Sequence, residues 1–526
     1  MLECVRTGLG NRFFLGRAFG TCREVIRYLL CSRMSTRLSG KWIWQALVLA
    51  CAFMCLSEPV HGSPFLERLQ ISSPESPFST RSANRGLTAA YFHPARVPLD
   101  RLRVSSAVVS LYQSHTLTFK QRPAGFDISG SVYRSRSVSM ESDLGRIKPI
   151  ATGELPYQAR RADRQAHRAE TLVLGLSTPV IVDTLGIAMV ATLPVGLLQT
   201  QRPFFPDERS QFFDGRLYPE LYRDRLESST VALSANCRIA EWLSFGMGIA
   251  LSNHSRSVPQ VYIPDAGDQE RTLTNAQIEV TPTLAPFGSV NVKPFLNNPV
   301  SLSLTVHSPS ESRLTGRGQL RFWEFEYPEG QNFLKQTFDL IFQSQPLRLG
   351  VGLDADFRLG SGGLSLYADG VWSRWSTYKN RHGERGIDWS NTVDLKAGLT
   401  YQIESNRFGL GAAYFPTPVP SQAGRTNYVD SSRVAGQIGW LRDVSVGENQ
   451  LSFGIGLQFQ RLIERRHSKS PDARNPILDE FPESRDLRTG ELNQDSVGTQ
   501  TNNPGFPGYS HAGYLVTTMV NVGLEL

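Results

Sequence analysis

One stretch near the middle of the chain, Gly362–Lys379, limits the folds that this sequence can adopt. Its residues alternate in character, so in an extended strand one face is apolar and the other face is largely polar and carries Asp369. A strand of a soluble sandwich can have this pattern. A strand of a membrane barrel can have it too, because its outer face meets lipid and its inner face meets the lumen. The apolar positions are Leu364, Leu366, Ala368, Gly370 and Trp372, and the opposite positions are Ser365, Tyr367, Asp369, Val371 and Ser373.

Similar alternation recurs along the chain, and merging the ambiguous segments predicts about fourteen strands, an even number as in bacterial outer-membrane barrels. Leu273–Ala285 and Gln336–Phe357 are two of the longer predicted strands, and Glu141–Ala169 is predicted to be a loop. The connections alternate in length, whereas a soluble sandwich would space its turns more evenly. Short turns are expected at 179–185, 239–241, 403–406 and 443–449, and long polar loops at 141–169, 196–226, 253–271, 379–391, 416–432 and 463–510.

The N-terminal part of the chain has the pattern of a leader. A short basic stretch after Met34 precedes Trp42–Leu56, an almost unbroken apolar run, and small residues follow at Val60–Gly62. This is typical of a secretory signal peptide. The alternative is a membrane anchor, although a bilayer-spanning helix needs about 20 residues and this run is shorter. We therefore assign residues 34–62 to a signal peptide and interpret residues 1–33 as an extension upstream of the natural start.

Removal of this leader would change the charge balance. Eight of the 55 basic and three of the 48 acidic residues precede Ser63, so 47 and 45 remain and the net charge falls to about +2. The basic isoelectric point therefore gives no argument for a nucleic-acid partner. Five of the six cysteines also precede Ser63. Cys237 alone remains, which excludes an internal disulfide framework and a thiolate metal cluster from the predicted mature chain.

No apolar run after residue 62 approaches the length of a spanning helix. Only helices and closed barrels satisfy all their backbone polar groups in lipid. The alternation, the leader and the unequal loops together predict an all-β transmembrane antiparallel barrel of about 14 strands over residues 101–526. Residues 63–100 are rich in Ser, Pro and Arg and show little periodicity, which on composition alone is compatible with a disordered tail.

Several stretches resemble motifs of one family, the FadL/TodX-type outer-membrane transporters of long-chain fatty acids and other hydrophobic compounds. Asp369–Ser376 resembles the Trp-x-x-Trp-Ser strand of the family, and Ile239–Gly248 resembles its Trp-x-Ser-x-Gly-x-Gly hairpin. Tyr414–Pro420, followed by Val429–Arg433, resembles a segment with Ser-Pro-Val-Pro and Pro-Asp-x-x-Arg. Tyr91–Ala95 resembles an Asn-Pro-Ala motif. The order and approximate spacing match over most of residues 84–440.

The sequence departs from the family pattern at three positions. His93 replaces an asparagine, Val429 replaces a proline, and the chain ends in Leu526 where the family usually ends in phenylalanine. The last position bears on recognition by the barrel-assembly machinery, a partner that the resemblance implies. Val516–Leu526 nevertheless alternates as a final strand would.

The resemblance implies a 14-stranded barrel in the bacterial outer membrane, with both termini in the periplasm and outer-membrane lipid around it. Residues 63–100, including His93, Pro94 and Ala95, would then form an N-terminal hatch inside the lumen. The implied activity is passive uptake, in which a hydrophobic ligand lands on an external apolar groove, enters an internal pocket and leaves through a lateral opening in the wall. The resemblance further implies a monomer, and we expect no cofactor and no metal.

A predicted external loop offers candidates for the landing groove. Aromatic and aliphatic side chains are concentrated there among charged residues, and exposed apolar groups of this kind pack either on a ligand or on each other. Both alternatives stay open, because a groove and a small loop core use the same residues. The candidates are Phe204, Phe205, Phe212, Phe213, Leu217, Tyr218, Leu221 and Tyr222.

Other candidates concern the wall and a carboxylate ligand. Pro194 and Gly196 follow the third predicted strand, where a proline marks either a kink that opens the wall or simply the end of the strand. Arg256 and Arg313 lie roughly where the family has basic residues and could bind a carboxylate in bidentate geometry. The alternative for both arginines is a solvated charge in a loop or at the rim.

Other functions are less well supported by the sequence. The histidines after the leader are scattered and none lies in a recognisable nucleophile motif, which argues against an outer-membrane lipase and against an enzyme in general. No acidic cluster has the spacing of a calcium loop. The main alternative is a general porin or a structural barrel without a hydrophobic ligand.

Overall fold

The computed structural model describes residues 64–73, 76–78, 81–120, 163–195, 229–252, 255–257, 273–280, 284–294, 299–321, 334–380, 383–470, 474, 476–477, 503 and 505–526. All of them belong to one compact unit, Glu58–Leu526. No helix in these ranges is long and apolar enough to cross a membrane.

The elements of the N-terminal region are α1 (Pro64–Leu69), β1 (Ile71–Ser73), β2 (Ser76–Phe78), α2 (Ala89–Phe92) and a 3-10 turn at Pro94–Arg96. The remaining strands are β3 (Arg103–Phe119), β4 (Asp163–Ile181), β5 (Leu185–Pro194), β6 (Thr230–Ala240), β7 (Leu243–Ser252), β8 (Ser255–Ser257), β9 (Leu273–Val280), β10 (Leu284–Val292), β11 (Val300–His307), β12 (Ser310–Arg321), β13 (Leu334–Gln345), β14 (Arg348–Leu359), β15 (Gly362–Ser373), β16 (Thr392–Ile403), β17 (Asn406–Phe415), β18 (Arg433–Val446), β19 (Asn449–Ser468) and β20 (Gly508–Glu525), with a 3-10 turn at Trp375–Thr377.

Fourteen of these strands form a closed antiparallel barrel, which confirms the predicted fold class. The wall runs from β3 to β7, continues through β10, β11 and β14 to β20, and closes where β20 pairs with β3. Because the ladder is closed, the barrel has no free sheet edge. A separate four-stranded sheet has the order β13-β12-β9-β8, and β1 pairs with β2.

The connections between barrel strands alternate in length, as predicted. Short turns join the strands at one end of the barrel, and long connections join them at the other end. Gly360 and Gly447, in two of the short turns, have φ of 58° and 65°, a left-handed conformation that glycine adopts without strain. The short turns are at 182–184, 241–242, 360–361, 404–405 and 447–448, and residues 293–299 connect β10 to β11 at the same end.

The two faces of the barrel strands differ in composition. On β15, Tyr367, Asp369, Val371 and Ser373 are buried against the lumen side, whereas Leu366 on the opposite face is 41% exposed. The face predicted to be polar is therefore the inner face. Large aliphatic side chains remain exposed around the outside, as an outer wall that meets lipid requires.

Several predictions of element extent are wrong. The predicted loop 463–510 overlaps β19, which runs to Ser468, and the predicted loop 253–271 contains β8. Gln336–Phe357 is not one strand, because the chain leaves the separate sheet after β13, passes Pro346, which has no N–H for a ladder, and joins the barrel as β14. Leu273–Ala285 is likewise divided between β9 and β10. The predicted loop Glu141–Ala169 overlaps the start of β4, which begins at Asp163.

A pair of substitutions on one outward face tests whether the apolar band meets lipid. Ile438 near the middle of β18 and Val446 at its end are 56% and 58% exposed. We expect Ile438→Arg to lower the free energy of unfolding in phospholipid vesicles by about 2–4 kcal/mol and Val446→Arg by about 0–1 kcal/mol, because the cost of an arginine depends on its depth. Denaturant titration in vesicles measures both. Equal losses would contradict a membrane-spanning band.

Candidate functional site

The described residues of 64–99, here called the lumen segment, contact the inner wall of the barrel from one end to the other. Near the long-loop end, the Gln70 amide donates to Asp394 on β16 at 3.1 Å. Further along, the Ala95 N–H donates to Ser289 on β10 at 2.9 Å. At the short-turn end, the Leu99 carbonyl accepts from the N–H of Asp183 in the β4–β5 turn. The segment therefore runs through the lumen towards the short turns before β3 begins.

One side of the lumen is apolar. The inner faces of β3 to β7 and of β10 contribute small and aliphatic side chains that pack against the helix α2 and its neighbours in the lumen segment. Phe287 on β10 packs against Tyr91 with ring centroids 5.3 Å apart. The inward wall residues of this apolar sector are Ala107, Val109, Leu111, Val173, Ala188, Val190, Ala232, Ala250, Ala285 and Phe287, and the same cluster includes Leu462 on β19 and Leu515 and Met519 on β20.

The other side of the lumen, on β11 and β14 to β18, is charged. Arg81 of the lumen segment, 2% exposed, is at its centre. Its guanidinium donates to both carboxylate oxygens of Glu67 at 3.1 Å, and its backbone N–H donates to Asp369 on β15 at 2.6 Å. A buried guanidinium needs such partners, because an unpaired buried charge is strongly destabilising.

His307 on β11 completes the surroundings of Arg81. Its Nε2 lies 2.9 Å from the Tyr91 carbonyl and its Nδ1 lies 2.6 Å from the Arg81 guanidinium. A carbonyl only accepts and a guanidinium only donates, so both contacts are satisfied by the neutral ring with its proton on Nε2. The neutral ring places no additional positive charge beside Arg81.

Glu67 stays ionised in this environment. Burial by itself would raise the pKa of Glu67, but the cations of Arg348 and Arg81, together with His307 and the Tyr91 hydroxyl, lower the pKa well below its usual range. The Tyr91 hydroxyl donates to Glu67 at 3.0 Å. Glu67 therefore acts as a permanent anion that joins the lumen segment to the wall.

Further ion pairs extend this charged sector towards the short-turn end. Asp369 on β15 and Lys396 on β16 are register partners, and both are buried. Arg96 forms a buried bidentate pair with Asp354 on β14, with NH2 to Oδ2 at 2.9 Å. Arg85, which is exposed, pairs with Asp356 at 2.8 Å.

Glycine allows the wall to approach the lumen segment closely at two places. A Cβ at Gly246 on β7 would overlap the backbone of Pro94 and Ala95, and a Cβ at Gly352 on β14 would overlap Ser82 and the Asp369 carboxylate. Neither position could take a larger residue without displacement of the segment.

The predicted hatch residues lie between the two sectors. His93 Nε2 is 2.8 Å from the Ser303 hydroxyl on β11, and that hydroxyl is 3.2 Å from the Asn291 amide oxygen. His93 Nδ1 is buried and has no hydrogen-bond partner among the described residues. Burial and the nearby cations Arg96 and Arg81, with His307, hold the pKa of His93 well below 6.5.

At the long-loop end, residues 416–432, here called the mouth loop, are largely buried. The Arg465 guanidinium donates to the Val419 carbonyl at 2.6 Å, and the Lys469 ammonium donates to the Gly424 and Thr426 carbonyls at 2.7 and 2.6 Å. The mouth loop contributes Val419 and Tyr428 to an aromatic cluster, in which the stacked rings of Tyr378 and Trp389 have their centroids 3.6 Å apart. The members of this mouth cluster are Trp375, Tyr378, Trp389, Val419 and Tyr428.

A serine and two histidines form a chain at the same end. Ser431 Oγ is 3.0 Å from His511 Nδ1, and His511 Nε2 is 3.1 Å from His115 Nδ1. The order of groups is that of a nucleophile, a base and an orienting group. All three residues are buried, so a substrate has no approach to Ser431 in this state. We interpret the chain as a polar network that fixes the mouth loop.

The sequence-predicted site residues are only partly within the described ranges. The eight groove candidates, between Phe204 and Tyr222, and Gly196 lie outside them. Pro194 is the last residue of β5 and pairs with Thr171, and the ladder from β5 to β6 is continuous from Leu185 to Thr192. The β5–β6 ladder thus ends at Thr192, and Leu193 and Pro194 pair with β4.

The two arginine candidates lie on the separate sheet. Arg313 on β12 is 55% exposed and forms an ion pair with Asp339 at 2.9 Å. The backbone of Arg256 on β8 pairs with Glu279. The residues that sequence reasoning missed are the charged ones at inward positions, above all Arg81, Glu67 and Lys396. For Lys396 the available signal was a charge on the lumen face of an alternating strand, as for Asp369, whereas Arg81 and Glu67 lie in the lumen segment, where no strand periodicity marks them.

Comparison with known proteins gives no match to a protein-family model and none to a curated protein. Among solved structures, a Pseudomonas aeruginosa FadL homologue is similar with a TM-score of 0.49 and 14% identity, over 89% of this chain and 98% of that chain. The Pseudomonas putida toluene transporter TodX gives 0.40 and 8%, over 89% and 98%. The Ralstonia pickettii toluene transporter TbuX gives 0.35 and 11%, over 84% and 94%. These TM-scores are below 0.5, so the fold assignment rests on the closed ladder of the chain itself.

The environment of His93 predicts a pH dependence. Because the pKa of His93 is lower in the folded chain than its ordinary 6.5, protonation of His93 favours the unfolded chain. The stability that the neutral ring allows is therefore complete above pH 6.5 and is lost as the pH falls. We expect the protection factors of amides in residues 87–99, which compare each exchange rate with the intrinsic rate at the same pH, to fall between about pH 7 and pH 5 in the wild type. The variant His93→Asn should show a flatter profile. An identical profile in both proteins would contradict the assignment to His93.

The close approach at Gly352 predicts the effect of a larger side chain. Gly352→Val should displace the lumen segment, destabilise its docking by about 1–3 kcal/mol and increase ion conductance in planar bilayers. Gly436→Val on β18 is the matched control, because a Cβ at Gly436 meets nothing within 4 Å. Equal conductance of both variants would show that the segment does not block the lumen.

Proposed function

We propose that this chain is an outer-membrane channel for the passive uptake of hydrophobic small molecules, with long-chain fatty acids as one ligand class. The observation that carries the proposal is the apolar sector of the lumen on β3 to β7 and β10. The interior of an open porin is polar and filled with water. The lumen segment covers this wall in the docked state, and once the segment moves, an inner wall of alanine, valine and leucine side chains suits an apolar solute far better than an ion.

The location in the bacterial outer membrane is part of the proposal. The even number of strands, the apolar outer wall and the short turns confined to one end support it. Periplasmic turns are the short ones in such barrels. Arg103 at the start of β3 pairs with Glu525 at the end of β20, at the short-turn end, which supports periplasmic termini.

In this proposal the lumen segment acts as the hatch. Its contacts along the whole wall support this role, because a lumen occupied in this way does not resemble the open pore of a general porin. An external groove at Phe204–Tyr222 and a lateral opening near Pro194 remain proposals that rest on the sequence. The β5–β6 ladder is continuous from Leu185 to Thr192, so any opening between these two strands would require movement or lie beyond Thr192.

The proposal does not depend on a carboxylate anchor at the separate sheet. Arg313 is exposed and already paired with Asp339, which favours a rim charge over a ligand contact. Ligand selection would then depend mainly on apolar contacts, and alkanes or aromatic hydrocarbons would bind as well as fatty acids. A catalytic role has no support from the described residues, since Ser431 is inaccessible.

Ligand binding to the detergent-extracted barrel tests this function. We expect saturable binding of a long-chain fatty acid and of a matched alkane in isothermal titration, weakened about tenfold or more in the double variant Phe204→Ala/Phe212→Ala. Phe408→Ala is the control, because Phe408 lies on the outer face of β17 and is exposed. Absence of binding by either ligand, with steady ion conductance in bilayers, would leave the porin alternative.

A further inference from the structure

Two adjacent residues of helix α1, Glu67 and Arg68, connect the lumen segment to the long-loop end of the barrel. We propose that these two residues form an autoinhibitory latch, which keeps the lumen segment docked until the mouth loop or the mouth cluster moves. The inference rests on the proposed function, because it names the contact that must open for uptake.

The first half of the latch is the ion pair between Arg68 and Asp430. The Arg68 guanidinium donates to Asp430 Oδ1 at 2.5 Å, and the two side chains are 14% and 1% exposed. Asp430 belongs to the mouth loop, and its Oδ2 accepts from the Thr417 hydroxyl at 2.5 Å. A movement of the mouth loop would therefore separate Arg68 from its carboxylate.

The second half joins Glu67 to Arg348. Arg348 Nε is 3.4 Å from Glu67 Oε2, and the Arg348 guanidinium lies over the Trp375 ring at 5.9 Å. Trp375 is a member of the mouth cluster. A ligand that inserts among these aromatic rings would shift Arg348, which holds Glu67. The first contact thus depends on the position of the mouth loop, and the second contact depends on the position of Trp375 in the mouth cluster.

The Glu67–Arg348 contact is buried and the Arg68–Asp430 contact is partly buried, with Asp430 the more enclosed partner, and this determines how they act. Removal of one partner from a buried ion pair leaves an uncompensated charge, which costs far more than the intact pair contributes. Separation of Arg68 from Asp430 therefore favours movement of α1 to a wetter position, where the guanidinium is hydrated. Such a contact has two discrete states, docked or released, rather than a continuous range.

The remaining anchors of the segment do not need to open together with the latch. Arg96–Asp354 and His93–Ser303 hold the later part of the segment, nearer the short-turn end. The hairpin β1–β2 lies between α1 and Arg81 and packs against β16, β17 and β18. Release of α1 would open the long-loop half of the lumen while the segment stays attached to the barrel.

A charge exchange tests the latch without any hydrophobic ligand. Arg68→Asp and Asp430→Arg should each increase ion leak through the barrel in liposomes by about tenfold or more, and the double variant should return the leak to within about twofold of the wild type. Arg313→Asp is the matched control, since it breaks an exposed ion pair on the separate sheet and should not change the leak.

Each result of this experiment decides the proposal. Single variants with the same ion leak as the wild type would overturn the proposal. A double variant that leaks as much as the single variants would also overturn it, because the contact would then be only structural. Heat-modified gel migration confirms that each barrel is folded, and Arg68→Gln replaces any variant that does not fold. If the double variant restores the low ion leak but no hydrophobic ligand binds the wild type, the latch is supported and the proposed uptake function is contradicted.

Discussion

The pairing of β20 with β3 is the constraint on which the rest of the structure depends. It closes the ladder from Arg103–Glu525 to Phe119–Tyr509, so every barrel strand has two neighbours. Closure fixes which side chains point inward, because a strand that slipped by one residue would exchange its two faces. The aliphatic side chains then cover the outside, and charged side chains such as Asp369 and Lys396 have only the lumen to occupy.

Charges inside a closed wall must find partners there, and the lumen segment provides them. Glu67 pairs with Arg348 on β14, Arg96 pairs with Asp354 on β14, and the Asp369 carboxylate on β15 accepts from the Arg81 backbone N–H, so wall charges of both signs have partners across the interface. Such pairs contribute little net stability compared with apolar packing. They do specify one docked position, because a shifted segment would leave several buried charges without partners.

The sequence predicted those features that depend on local pattern. Alternation along Gly362–Lys379 and the spacing of turns gave the strand number, the face that each residue takes and the unequal loops. Pairings across the chain could not be predicted in this way, since the Arg81 backbone and Asp369 are 288 residues apart and no periodicity links them. The separate sheet was missed because β13 and β14 continue one alternating pattern across Pro346, where only the pairing partner changes.

The division of the lumen into two sectors explains why a segment that must move is held by charges. A lumen segment docked only by apolar packing would compete with every hydrophobic solute for the same wall surface. Solute binding would then loosen the segment even if the mouth loop and the mouth cluster had not moved. An apolar solute does not compete for ion pairs such as Arg68–Asp430. These pairs separate only when a partner moves or water enters. The apolar sector also packs against α2 in the docked state, so the two sectors differ in what loosens them: a hydrophobic solute can compete for the apolar contacts, whereas only movement of a partner or entry of water opens the charged contacts.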